Sequence, residues 1–178
     1  MSEGVKTIIY VGVACVAGLA AWVSQPRRGD VRPPDQVGKM LFPDFQDPAD
    51  AGRLQILRFN EDLGELREFE VARDNAGRWV IPSQDRYPAD AEEQMKTAAN
   101  ALIDLEVLDI ASELAGEHKI YGVVEPNRDQ LSASSEGVGT LISIADGKGK
   151  DLAQLIVGKA VRAAEDQRFV RIPNQDPV

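Results

Sequence analysis

Sixteen consecutive residues, Ile8 to Val23 (IIYVGVACVAGLAAWV), carry no charge, with Lys6 before them and Arg27-Arg28 after them. A stretch this apolar at one end of a chain constrains everything that follows it, because water offers it no stable place. As a helix, residues 7–24 would reach about 27 Å, close to the ~30 Å hydrocarbon thickness of a bilayer. Three structures use such a run: an uncleaved single-pass anchor, a cleaved signal peptide, and a helix buried in a partner. A signal peptide wants a basic leader, a shorter apolar core and a small-x-small cleavage triplet. Here Lys6 is the only leader cation, and Gly18-Leu19-Ala20, the nearest triplet, lies inside the run. The features favour a transmembrane anchor over residues 1–25, in contact with membrane lipid through residues 7–24. Cys15 reads as a small apolar filler of that anchor, because Gly12 stands where a lipoprotein signal wants a Leu-like side chain. By the positive-inside rule, Arg27, Arg28 and Arg32 outweigh Lys6 and lean slightly toward a cytoplasmic carboxyl-terminal domain.

The remaining length suffices for one domain with a proper core. From Gly29 onward there are 17 Lys and Arg against 28 Asp and Glu, a charge of −11. Such a balance opposes nucleic-acid phosphates, so no nucleic-acid partner is expected. Cys15 is the only cysteine, which excludes an intramolecular disulfide and thiolate zinc sites.

Residues 26–52 read as a Pro-rich linker, with Pro26, Pro33, Pro34, Pro43 and Pro48, and with Leu41, Phe42 and Phe45 able to dock on a domain edge. Asp44, Asp47 and Asp50 lack the alternate oxygens and closing Glu of a calcium loop. From residue 53 to 178 the pattern predicts an α+β domain. Leu54–Phe59, Leu66–Ala72 and Arg78–Ile81 form a meander, with Phe69 and Val71 on one face and Glu68 and Glu70 on the other. Asp90 with Glu93 reads as a capping box. It opens a long amphipathic helix whose stripe is Ala91, Met95, Ala98, Leu102 and Leu105. A shorter helix is expected over Ser112–Lys119. Further strands are expected at Asp129–Ser134, Thr140–Ala145, Ala153–Val157 and Arg168–Ile172. The predicted fold is therefore an antiparallel or mixed sheet covered by one long helix and a shorter one, behind a transmembrane helix.

No reactive constellation emerges from the residue types. His118 is the sole histidine, so no His pair is available to hold a metal. Its pairing with Ser132, Ser134 or Ser135 lacks a Gly-x-Ser-x-Gly elbow, and His118 beside Lys119 reads as a helix-end surface residue. The Gly-Lys pairs at Lys148, Lys150 and Lys159 fail the phosphate-loop spacing, and Asp146-Gly147 reads as a hairpin turn. No catalytic, cofactor-binding or metal-ligating residue is expected, and no cofactor.

One ordered series does have a counterpart. Trp79 with Pro82, Tyr87-Pro88-Ala89-Asp90, Leu102-Ile103-Asp104-Leu105, Tyr121-Gly122-Val123-Val124-Glu125-Pro126, Leu155-Ile156-Val157-Gly158 and Phe169-Val170-Arg171 together resemble the bacterial domain of unknown function 4340. The resemblance covers residues 54–178, with Val123 where Leu is usual and Phe169 where Tyr is usual. It implies a membrane-tethered α+β domain on the extracytoplasmic side, associated with gliding-motility or ABC-type transport components. It also implies further sheet after Arg171, so the domain is expected to be incomplete at its carboxyl-terminal end, with an exposed sheet edge. The leading expectation is a non-catalytic, membrane-anchored accessory or scaffold protein of the bacterial envelope, with envelope or transporter proteins as partners. The alternative is an extracytoplasmic ligand-binding module for a small molecule or envelope polymer.

Overall fold

Alternation of apolar and polar side chains drives most of this chain into strands. The structure, a computed structural model, describes residues 36–127, 131–132, 134–162 and 164–178. Its strands are β1 (Arg53–Asn60), β2 (Glu65–Arg73), β3 (Trp79–Ile81), β4 (Tyr87–Pro88), β5 (Thr140–Ala145), β6 (Asp151–Val161) and β7 (Ala164–Arg171). They form one seven-stranded sheet in the order β4-β3-β2-β1-β5-β6-β7. Every neighbouring pair is antiparallel. Among the described residues two α-helices accompany the sheet: α1 (Glu92–Ile103), of 12 residues, and α2 (His118–Tyr121), of 4.

The expected α+β architecture is corrected by this arrangement. The protein is chiefly an antiparallel sheet, without mixed pairing in its ladders and without a long covering helix. α1 is three turns, for reasons visible at both ends. At its start, Pro88 is paired with Val80, and the Ala89 N–H donates to the Trp79 carbonyl at 2.9 Å. Strand bonding thus runs up to Ala89, and the helix opens one residue later than expected. Asp90 is not the cap; Ala91 is, with no side-chain hydrogen bond. At its end, the Leu105 carbonyl accepts from Leu41 N at 2.8 Å and Val107 N donates to Lys39 O at 3.0 Å, so residues 105–107 join a short ladder instead of another turn. The second helix is likewise reduced to a 3-10 turn at Ala115–Glu117 followed by α2. The strand expected at Asp129–Ser134 falls partly outside the described residues, and Leu131, Ser132 and Ser134 are not strand. The expected transmembrane helix lies wholly outside them. Among the described residues no helix is long and apolar enough to cross a membrane.

One sheet face carries the core. Directly opposed residues share a face, and Leu54 stands opposite both Val71 and Ile144, which in turn stands opposite Ala153. Met95, Ala99 and Leu102 of α1 cover this row, with Trp79 at its side and Phe45 and Ala51 closing it. The segment expected to be linker therefore belongs to the domain from about residue 38 onward. Phe45 is 1% exposed, and Gly52 donates its N–H to Ala145 O at 2.9 Å. Three Asp and two Pro misled the composition reading. Asp47 in fact caps the 3-10 turn Pro48–Asp50 by accepting from Ala49 N at 2.8 Å.

The other face is covered toward the β1–β2 turn, among the described residues, by Tyr121 to Val123 and by Gly139. Phe59 and Ile156 are buried there, along with Val123 of the covering segment. Toward the opposite end that face is polar: Gln55 Nε2 donates to Glu68 Oε1 at 2.6 Å. Arg53 Nε stands 2.8 Å from Glu70 Oε1 in an ion pair whose N–H is not aligned as a hydrogen bond.

Because Phe45 fills the core rather than lying on a tether, Phe45→Ala is expected to lower folding stability by about 3–5 kcal/mol. Equilibrium urea unfolding measures this, and a loss within about 0.5 kcal/mol, the size usual for surface changes, contradicts the packing described.

Candidate functional site

The residues from three separated stretches of the resemblance meet at one place on the second sheet face. α2 ends at Gly122, whose φ of +74° turns the chain into the left-handed conformation that glycine adopts without penalty. The turn lays Val123 flat on β6. A side chain at Gly158 could not be accommodated, since its Cβ would come 2.5 Å from the Tyr121 carbonyl oxygen. The Tyr121 and Phe169 rings pack with centroids 4.8 Å apart at 58°. The Tyr121 hydroxyl donates to Ala111 O at 3.3 Å. Lys159 Nζ donates to Ile120 O at 2.8 Å.

Arg171 is the centre of this junction. Its side chain comes from the end of β7 and the residue is 6% exposed. A buried guanidinium is tolerated only when its donors are engaged and its charge answered. Nε donates to the Val123 carbonyl at 3.0 Å, Nη1 donates to Gln175 O at 2.8 Å, and Nη2 lies 3.6 Å from Glu125 Oε2. One cation thus joins β7, the segment after α2, and the turn that follows β7. Two backbone hydrogen bonds extend the seam, Ala111 N to Val178 O at 2.8 Å and Val178 N to Ser112 O at 2.9 Å. These contacts tie the guanidinium to two backbone carbonyls and one carboxylate and so fix the geometry of the junction.

His118 belongs to the same seam. Its Nε2 lies 2.9 Å from the Asp176 carbonyl. The serines considered with it bond one another instead: Ser132 Oγ is 3.0 Å from Ser134 Oγ and 3.4 Å from Ser135 Oγ. Among the described residues nothing joins His118 to them. The Asp146 loop is a turn: the carboxylate accepts from Lys150 N at 2.9 Å and Lys148 N at 2.7 Å, which holds its pKa below 3.8. Glu136 is also held low, by the Lys119 ammonium 2.9 Å away. Among the described residues no group of His, Cys, Asp and Glu is placed to hold a metal ion.

An open cleft of about 440 Å³ lies on the far side of the domain, at the start of α1. Arg73, Arg78, Trp79, Asp90 and Glu92 line it. Arg73 lies across from Trp79 in the β2–β3 pair, with its guanidinium carbon 4.7 Å from the ring centroid, a cation–π geometry. Asp74 takes the backbone N–H of Arg78 and its guanidinium, at 2.9 Å each, and its pKa falls below 3.8 as a result. Sequence reasoning singled out Trp79 within the resemblance but missed Arg73, whose signal was its position opposite Trp79 across the Asp74–Gly77 turn. It also missed the role of Arg171, a cation between the apolar Val170 and Ile172, spaced to face inward.

The fold and junction define a small antiparallel-sheet domain closed by a buried arginine seam. The chain belongs to the family described as Domain of unknown function (DUF4340), whose model matches residues 79–178. That match begins at Trp79 and takes in α1, the junction and β5 to β7. No curated protein and no solved structure matches the chain.

Replacing Arg171 by Met removes the charge and its donors while keeping bulk. It leaves two carbonyls without their donor, and the expected loss of stability is about 3 kcal/mol. Thermal or urea unfolding reads the loss, and an unchanged midpoint would show the seam to be energetically idle.

Proposed function

We propose that this protein is a non-catalytic, membrane-anchored accessory or scaffold protein of the bacterial envelope whose sheet domain engages other proteins, with components of an ABC-type transport system among the partners. The observation that carries it is the apolar surface the domain leaves in water. Leu108, Leu114 and Ile120 are each about three-fifths exposed, Tyr87 is 66% exposed and Met40 51%. Large apolar side chains left this exposed are candidates for protein contact. The uncharged run Ile8–Val23 supports attachment to lipid. Sequence resemblance supports an extracytoplasmic position, against the weak lean of the flanking arginines.

In a cell fraction the full chain is expected in the membrane pellet, resistant to carbonate, and a variant lacking residues 1–24 in the supernatant. Crosslinking in native membranes followed by purification in mild detergent is expected to recover the same protein partners repeatedly. A soluble full chain, or a monomer free of crosslinks, defeats the proposal.

The cleft favours a second role, a module that binds a small molecule or envelope polymer. Arg73 over Trp79 offers an aromatic face and a cation at one spot, a pairing suited to a planar or acidic group. On this role a ligand screen by thermal shift finds a stabilising compound whose effect disappears in Arg73→Ala; no stabilisation by any compound class argues against it.

A further inference from the structure

On the sheet face that carries the core, the cover is incomplete. α1 and Phe45 lie over the Leu54–Val71–Ile144 row, but the next row toward the β1–β2 turn is only partly covered, and least so at its β2 end. There Phe69 stands opposite Ile56, Ile56 opposite Ile142, and Ile142 opposite Leu155. Phe69 is 48% exposed. Ile56 and Ile142 are half-buried, and Leu155 closes the row inside the core.

One row further on, Arg58 of β1 and Arg67 of β2 stand directly opposite each other, both exposed. Like charges at opposed positions of an antiparallel pair destabilise it. The cost would vanish if either had a carboxylate, and this chain is rich in them, with 29 Asp and Glu against 20 Lys and Arg. Among the described residues neither Arg58 nor Arg67 has an ion-pair or hydrogen-bond partner. Arg53, on the opposite face of β1, does pair with Glu70 of β2. Two unanswered cations beside a partly covered apolar row on an otherwise acidic protein form a mixed surface, apolar along one line and positive along the adjacent line.

We infer that this surface, Phe69–Ile56–Ile142 flanked by Arg58 and Arg67, docks an amphipathic helix of a partner protein that carries acidic residues along one flank. It rests on the accessory role proposed above and names the surface and the chemistry of the partner. The dimensions agree. Four neighbouring strands span about 14 Å, the length of an α-helix of about ten residues. Carboxylates at i and i+4 on such a helix are about 6 Å apart, close to the roughly 5 Å between opposed side chains on adjacent strands. Such a helix laid across the strands sets its apolar stripe on Phe69, Ile56 and Ile142 and its acids against the guanidiniums, where bidentate pairing is available. A membrane surface fits less well, because the net charge of the chain opposes anionic headgroups.

The test uses the full chain in detergent and a labelled synthetic peptide of about 16 residues. It has Leu at helical i, i+3, i+4 and i+7 spacing and Glu along one flank. Binding is followed by fluorescence anisotropy against the same peptide with Gln or Lys for Glu. The Glu peptide is expected to bind, and the Gln peptide and the Arg67→Glu variant each to weaken binding by about tenfold or more. The same variant places Glu opposite Arg58, so its unfolding midpoint is expected to be unchanged or raised, which separates lost docking from lost folding. A double variant Arg58→Glu with Arg67→Glu is expected to prefer the Lys peptide. No binding, equal binding of the three peptides, or indifference to Arg67→Glu overturns the inference. So does a charge-dependent interaction, lost in Arg67→Glu, with phosphatidylglycerol vesicles and not with peptide. If native membrane partners co-purify with Arg67→Glu as with the parent, this surface is wrong while the accessory role stands. If peptide binds but the parent recovers no partner, the accessory role fails by itself.

Discussion

The pairing of β1 on both sides is the constraint on which the rest depends. From Arg53 to Arg58 each residue is matched across to β2 and to β5 at once. A slip of one residue in either ladder turns Leu54 away from Val71 and Ile144 and brings Gln55 into the core. The register in turn brings Ile144 under α1 and positions β6 so that Ile156 faces Val123. The two sheet faces are therefore set by one strand. The helix covers one face because the strand alternation leaves an apolar row there, and the segment after α2 covers the other because Phe59 and Ile156 need it.

The second face is closed by polar means where the first is closed by packing. Arg171 brings a cation into a site that is 6% exposed and satisfies it with carbonyls that no strand ladder uses. Removing the cation alone leaves its partners unanswered, whereas exchanging a whole buried pair for well-packed apolar residues is often neutral or stabilising, so the value of the seam is positional. It joins three chain segments far apart in sequence, and Gly158 and Gly122 permit the close approach this requires. The family match reaches across all three.

Much of the sheet was legible in the residues. β1, β2 and β5 were found close to their observed bounds, and β6 and β7 only in part. The helix was overextended because a stripe such as Ala91–Leu105 measures only the face that is apolar. It does not report that Leu105 already has a backbone partner in a strand-like ladder. That partner, Leu41, lies far back in the chain, beyond any local pattern. The packing of Phe45 was half visible: Leu41, Phe42 and Phe45 are apolar enough to dock, but five prolines between Pro26 and Pro48 gave the stretch the composition of a tether. The opposition of Arg58 and Arg67 was available once the turn at Glu61–Gly64 was placed, because the turn sets the register of both strands. The Arg171 seam was not, since it depends on a contact between β7 and a loop nearly fifty residues earlier.

The short ladder at the exit of α1 determines how the domain would bear a mechanical load. Tension entering at Gln36 reaches the Gly38 N–Val107 O bond first, then the bonds at Lys39 and Leu41 in turn. All three precede Phe45 along the chain, so a pull from that end meets them before it meets the core. A weak, reversible clasp thus stands between the leading segment and the hydrophobic interior, so that a transient tug is spent on re-forming a few amide contacts while the sheet keeps its shape.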